Sequence, residues 1–140
     1  MDENGPSEPW IIIAQRRFED LRAIEEAIAL AAPNSKNKIA FILAADDVLL
    51  SVQESSVRPI VISGEFPGLK YAGDNLARLC KKIHPNTIFL QYSVFEDHSP
   101  SADIAIVKCP TGEHILIACL ISELTETTTL DELKKILGGG

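Results

Sequence analysis

Residues 58–93, RPIVISGEFPGLKYAGDNLARLCKKIHPNTIFLQYS, decide the fold. Ile60, Val61 and Ile62 form a β-branched run suited to a strand buried on both faces. Ser63 to Gly68 break the run with turn residues. Leu76, Leu79, Cys80 and Ile83 then recur three and four apart, so they share one helical face. Pro85 ends that helix by pushing His84 out of the helical region. Ile88, Phe89 and Leu90 make the next strand. A strand–helix–strand unit with a long crossover predicts parallel strands and a right-handed connection. Open parallel sheets place their working site beyond the carboxyl ends of the strands. Here that edge carries Ser63, Gly64 and Glu65.

Upstream, residues 1–9 are polar and acidic and are expected to form a flexible tail. Trp10 to Ala14 is an apolar strand closed by Gln15, Arg16 and Arg17. Residues 18–32 predict a helix with Phe18, Leu21, Ile24 and Ile28 on one side, stopped by Pro33 and Asn34. Ile39 to Ala44 is a second strand, and Asp46 or Asp47 is placed to cap a helix over Val48 to Glu54. Downstream, Val94 to Ser101 is a polar loop and Ala102 to Val107 an apolar strand. Cys109 to His114 has the proline and glycine of a tight reversal. Ile115 to Ile121, ILIACLI, is most simply a further strand pairing antiparallel with Ile104 to Val107. Thr129 caps a last helix, Leu130 to Leu137, with acids at its start and lysines nearer its end. Residues 138–140 form a flexible end.

The 140 residues fit one domain, over residues 10–137, and 46% of the chain is apolar, enough for a true core. A net charge of −7 without a basic stripe disfavours direct nucleic-acid binding. No apolar run is long enough to span a bilayer, and the N-terminus lacks the pattern of a signal peptide, so a cytoplasmic location is expected. The three cysteines form no framework; Cys80 and Cys119 read as packing residues, and Cys109 beside Lys108 is the one placed for reactivity. No zinc spacing, phosphate loop or nucleophile elbow occurs, so no metal and no cofactor are expected.

Over roughly residues 10–137 the chain resembles a response-regulator receiver domain, the flavodoxin-like module of two-component signalling. The resemblance rests on AADD with VLLSVQES, on RPIVISGEFPG, on GDNLARLCKKIHP, and on ADIAIVK followed by Cys109-Pro110. It implies a three-layer α/β sandwich on a mainly parallel five-stranded sheet, modified after the fourth strand.

The receiver's functional positions have changed. The acidic pair that binds a divalent metal in active receivers corresponds to Gln15 and Arg16, and the phosphoacceptor aspartate corresponds to Ser63. The switch residue at the end of the fourth strand falls on Gln91, Tyr92 or Ser93. Lys108 matches the receiver lysine, although Cys109 separates it from Pro110. Phosphoryl transfer to a carboxylate needs an in-line nucleophile and a metal. The resemblance therefore implies a degenerate pseudo-receiver: a non-enzymatic module for protein–protein interaction and signal transduction. Two rivals are a flavodoxin-like domain holding a small ligand at the Ser63 edge, and an enzyme with Ser63 or Cys109 as nucleophile.

The fourth helix of a receiver has no room in Val94 to Ser101, and ILIACLI is an addition in return. Alternatively, ILIACLI is the true fifth strand and Ala102 to Val107 an inserted arm, which removes Lys108 from its role. As a strand, Ile115 to Ile121 sets Leu116, Ala118 and Leu120 on one face, so Leu116 and Leu120, with Leu130 and Leu133 of the last helix, are the candidate contacts for a protein partner or a homodimer.

Overall fold

The computed structural model describes residues 9–66, 70–71, 74–93, 100–107 and 114–138. Five strands form one sheet in the order β2-β1-β3-β4-β5, every neighbouring pair parallel. They are β1 (Ile11–Ala14), β2 (Ile39–Ile42), β3 (Ile60–Ser63), β4 (Ile88–Ser93) and β5 (Ile104–Val107). The helices are α1 (Phe18–Ala31), α2 (Ala45–Glu54), α3 (Asn75–Ile83), α4 (Ile115–Glu123) and α5 (Leu130–Gly138), and a 3-10 segment (Pro33–Lys38) joins α1 to β2. The order and the parallel sheet agree with the flavodoxin-like expectation.

All residues of β1, β3 and β4 are buried, which is why these segments read as continuous apolar runs rather than as alternating ones. Alternate residues of the central strands serve two cores. Ile11, Ile13, Ile60, Ile62, Ile88 and Leu90 pack with Ile24 and Ile28 of α1, with α4, and with Leu133 of α5. Ile12, Ala14, Val61 and Phe89 pack on the other face with Val48 and Val52 of α2 and Leu76, Ala77 and Cys80 of α3.

The segment Ile115 to Ile121 corrects the sequence reading. It is helical, not a strand, and the edge beside β4 belongs to Ile104–Val107, paired parallel to it. Neither the antiparallel arm nor the alternative fifth strand forms. Isoleucine-rich runs favour strands, but burial decides. Ile117, Leu120, Ile121 and Leu124 fall at helical spacing and close the core over α1, while Ile115, Leu116 and Cys119 stay exposed. Leu120 and Leu133 are core residues, Leu130 is half-buried against the core, and Leu116 is 57% exposed.

A smaller correction concerns α2. Its N-cap is Ala44, without a side-chain cap, so Asp46 and Asp47 lie inside the first turn rather than before it. They still face the positive end of the helix dipole. At α5 the expected cap is present: the Glu132 amide donates to Thr129 Oγ1 at 3.1 Å, and the Thr129 amide donates to Glu132 Oε1 at 2.8 Å. Of the expected flexible segments 1–9 and 138–140, residues 1–8 and 139–140 lie outside the described residues, as does most of the polar loop, 94–99; Gly138 is the last residue of α5, and residues 100–103 are not helical.

One clasp fixes the edge strand. Lys81 Nζ on α3 donates to both carboxylate oxygens of Asp103 at 2.8 Å. Asp103 also accepts the Phe89 amide at 2.9 Å and donates its own amide to the Phe89 carbonyl at 2.8 Å. The lysine and aspartate side chains are 29% and 17% exposed, so solvent screens them only in part. Asp103→Ala leaves Lys81 and the Phe89 amide without this acceptor and should lower stability by about 1–3 kcal/mol. A melting temperature within error of the wild type would show that the clasp does not hold β5.

Candidate functional site

The carboxyl ends of β1, β3 and β4 come together as the parallel register requires. Ala14 pairs with Ser63, and Ser63 with Gln91. One residue further, the Gly64 amide donates to the Ala14 carbonyl at 3.0 Å and the Gln15 amide to the Ile42 carbonyl at 3.2 Å, so the ladder continues into the loops.

Gln15 is buried, and its carboxamide lies flat against Gly64. A Cβ on Gly64 would meet Nε2 and Oε1 of Gln15 at 3.0 Å. A side chain at position 64 would push this carboxamide back by a few tenths of an ångström. Gln15 Nε2 also donates to the Tyr92 carbonyl at 3.4 Å, tying β1 across β3 to β4. Ser63 is fully buried, and its hydroxyl donates to the Gly64 carbonyl at 2.9 Å. Gln91 Nε2 donates to Glu65 Oε2 at 3.1 Å. Arg16 is exposed. Among the described residues, the amides of Gln15 and Gln91 and the hydroxyl of Ser63 fill this edge, with the Glu65 carboxylate held by Gln91. Beside Gly64, Glu65, Tyr71 and Gln91 the remaining cavity is about 10 Å³.

The rim is polar and charged. The Tyr71 hydroxyl donates to Asp46, and Lys70 lies 3.6 Å from the same carboxylate and 5.2 Å from the centre of the Tyr71 ring. The hydrogen bond from Tyr71 is the main reason the Asp46 carboxyl titrates below its usual range. Lys70 titrates above its usual range, through Tyr71 first and Asp46 second. On the other side of the sheet, the buried Tyr92 hydroxyl lies 2.7 Å from His114 Nδ1, and the two rings meet edge to face at 5.7 Å. His114 precedes the first turn of α4, so this contact ties β4 to the start of that helix.

Of the sequence candidates, Ser63 and Gln15 meet at this edge, and Gln91, Tyr92 and Ser93 are all buried at the end of β4. Lys108 and Cys109 lie outside the described residues. Sequence reasoning missed the insertion of Gln15 over Gly64, the Gln91–Glu65 pair and the Tyr92–His114 pair. The one available signal for the first was a glycine immediately after the end of a central strand. Among the described residues, no three histidine, cysteine or acidic side chains come together in a metal-holding group. No helix of the described residues is long and apolar enough to cross a membrane.

No family model matches the chain, and no curated protein matches it. Among solved structures, it superposes on a BeF3-activated DrrB receiver domain with a TM-score of 0.52 at 16% sequence identity, covering 93% of this chain and 98% of that one. The fold is receiver-like. The likeness spans nearly the whole of both chains.

Proposed function

We propose that this chain is a receiver-like signalling module that works by protein contact, without aspartyl phosphorylation and without enzymatic activity. The observation that carries this reading is the lack of a carboxylate at the acid-pair and acceptor positions of the carboxyl-end edge, residues 15, 16 and 63. Where a phosphorylatable receiver needs an acid pair and an aspartate, this edge has Gln15 packed on Gly64, the solvent-exposed Arg16, and Ser63 with its hydroxyl turned to a backbone carbonyl. A metal ion would gain no carboxylate from Gln15 or Arg16. Ser63 has no base hydrogen-bonded to it among the described residues, so nothing there raises its nucleophilicity.

The contact surface in this reading is the exposed side of α4, where Ile115 and Leu116 are 55% and 57% exposed. Exposed large apolar side chains side by side favour a protein partner or a second copy. For the alternative of a small ligand at the Ser63 edge, the cavity among the described residues beside Gly64, Glu65 and Gln91 is about 10 Å³, room for about one water.

The test is incubation with a small phosphodonor and magnesium, followed by intact-mass measurement. No added phosphoryl group is expected. Stoichiometric, acid-stable, magnesium-dependent incorporation at Ser63 would overturn the non-enzymatic reading. Leu116→Glu should leave the fold intact and weaken partner association or self-association. Unchanged association would place the contact surface elsewhere.

A further inference from the structure

A second cavity lies away from the Ser63 edge, toward the amino ends of the strands. Its volume is about 190 Å³, and it opens between the last two turns of α1, the 3-10 segment and β2. Its walls are apolar, with Ile28 and Ala29 of α1 and its C-cap Ala32 facing Phe41 of β2. The two alanines leave the space that longer side chains would fill. Glu25, half-buried on α1, and Lys36, exposed on the 3-10 segment, also line it. These opposite charges share one cavity, yet no ion pair joins them, and neither has a partner among the described residues.

We propose that this cavity binds a small apolar zwitterion, of the class of a free apolar α-amino acid. Glu25 receives the ammonium group, Lys36 receives the carboxylate, and the side chain enters between α1 and Phe41. The size fits: an apolar cavity of about 150 Å³ takes benzene, so 190 Å³ accommodates one branched aliphatic or aromatic side chain. The charges select the rest. A ligand with a single charge pairs with one residue and gains no charge-assisted contact from the other. The charged groups stand on two separate elements, α1 and the 3-10 segment, and no ion pair joins them.

The test is an amide NMR titration of the whole chain with leucine and with phenylalanine. Saturable shifts are expected at Glu25, Ala29, Lys36 and Phe41, leaving Ser63 and Gly64 unmoved. Glu25→Gln and Lys36→Met should each weaken binding about tenfold. Ala29→Trp, at an exposed helix position, should abolish it while the rest of the spectrum stays native. Phenethylamine and 3-phenylpropionate, each lacking one charge, should bind more weakly than phenylalanine. Absence of saturable shifts up to the solubility of either amino acid would overturn the proposal. Equal binding of N-acetyl-phenylalanine amide would also overturn it, by showing that the cavity takes an apolar side chain without reading its charges.

Discussion

Leu120→Asp should abolish cooperative folding, whereas Leu116→Asp should leave a native spectrum and a melting temperature close to that of the wild type. The two leucines are four apart on α4 but differ in burial: Leu120 is 1% exposed and Leu116 57%. Leu120 sits with Ile117, Ile121 and Leu124 in the core that α4 closes against α1 and the sheet. A carboxylate there loses its hydration without gaining a partner. Domains are stable by only about 5–15 kcal/mol, and a mutation that buries an unpaired charge consumes much of that. The milder Leu120→Ala should cost about 2–5 kcal/mol, read as a fall in melting temperature of roughly 10 °C. At Leu116 the same changes should stay within about 0.5 kcal/mol. Circular dichroism melts of the four variants decide the matter. Equal damage at both positions would contradict the burial difference between Leu116 and Leu120 on which this prediction rests.

The second large effect is alkaline. Cys80 is fully buried on α3 among apolar neighbours, and that desolvation pushes its thiol up to about 12. In the unfolded chain the thiol ionises near the ordinary value of 9.0. Below pH 9 both states hold the proton, and Cys80 adds no pH dependence. Between pH 9 and 12 the unfolded state releases the proton while the folded state keeps it, so stability falls as pH rises. The slope from this one group is about 1.4 kcal/mol per pH unit. Denaturant titrations of the wild type and Cys80→Ala over this range isolate it, since the other titrating groups are common to both. The wild type should lose stability more steeply; parallel curves would exclude the mechanism. The exposed Cys119 should react readily with a thiol reagent, and Cys80 only on unfolding.

The central layer of the fold was legible because its strands are simple signals. Ile11 to Ala14, Ile60 to Ser63 and Ile88 to Ser93 are short apolar runs, and buried parallel strands have no solvent face to impose alternation. The error at ILIACLI has the same origin. A short, wholly apolar run carries no periodicity, so strand and buried helix look alike until the rest of the sheet is in place. Once β5 occupied the edge, what remained open was the face bearing Ile11, Ile13 and Leu90, which calls for a helix. Even a correctly placed helix kept a local misreading. On α3, Ile83 completes the apolar spacing but is 41% exposed, and the small Ala77 is buried in its place. At the site, strand-end positions fixed Ser63 and Gln15, because they follow from chain order alone. The packing of Gln15 on Gly64 and the reach of Gln91 to Glu65 depend on side-chain directions across three strands, which no single segment encodes.

The late position of α4 and α5 in the chain has a consequence for synthesis. When Val107 has left the ribosome, all five strands, α1, α2 and α3 are available, and the face bearing Ile12, Val61 and Phe89 has both its helices. The opposite face has only α1. Ile13, Ile62 and Leu90 wait for Ile117, Leu120, Ile121 and Leu133 before their core can close. A nascent or prematurely ended chain therefore presents a one-sided apolar sheet, the kind of surface that chaperones hold and that self-associates when they do not. The time taken to add α4 and α5 sets how long that exposure lasts.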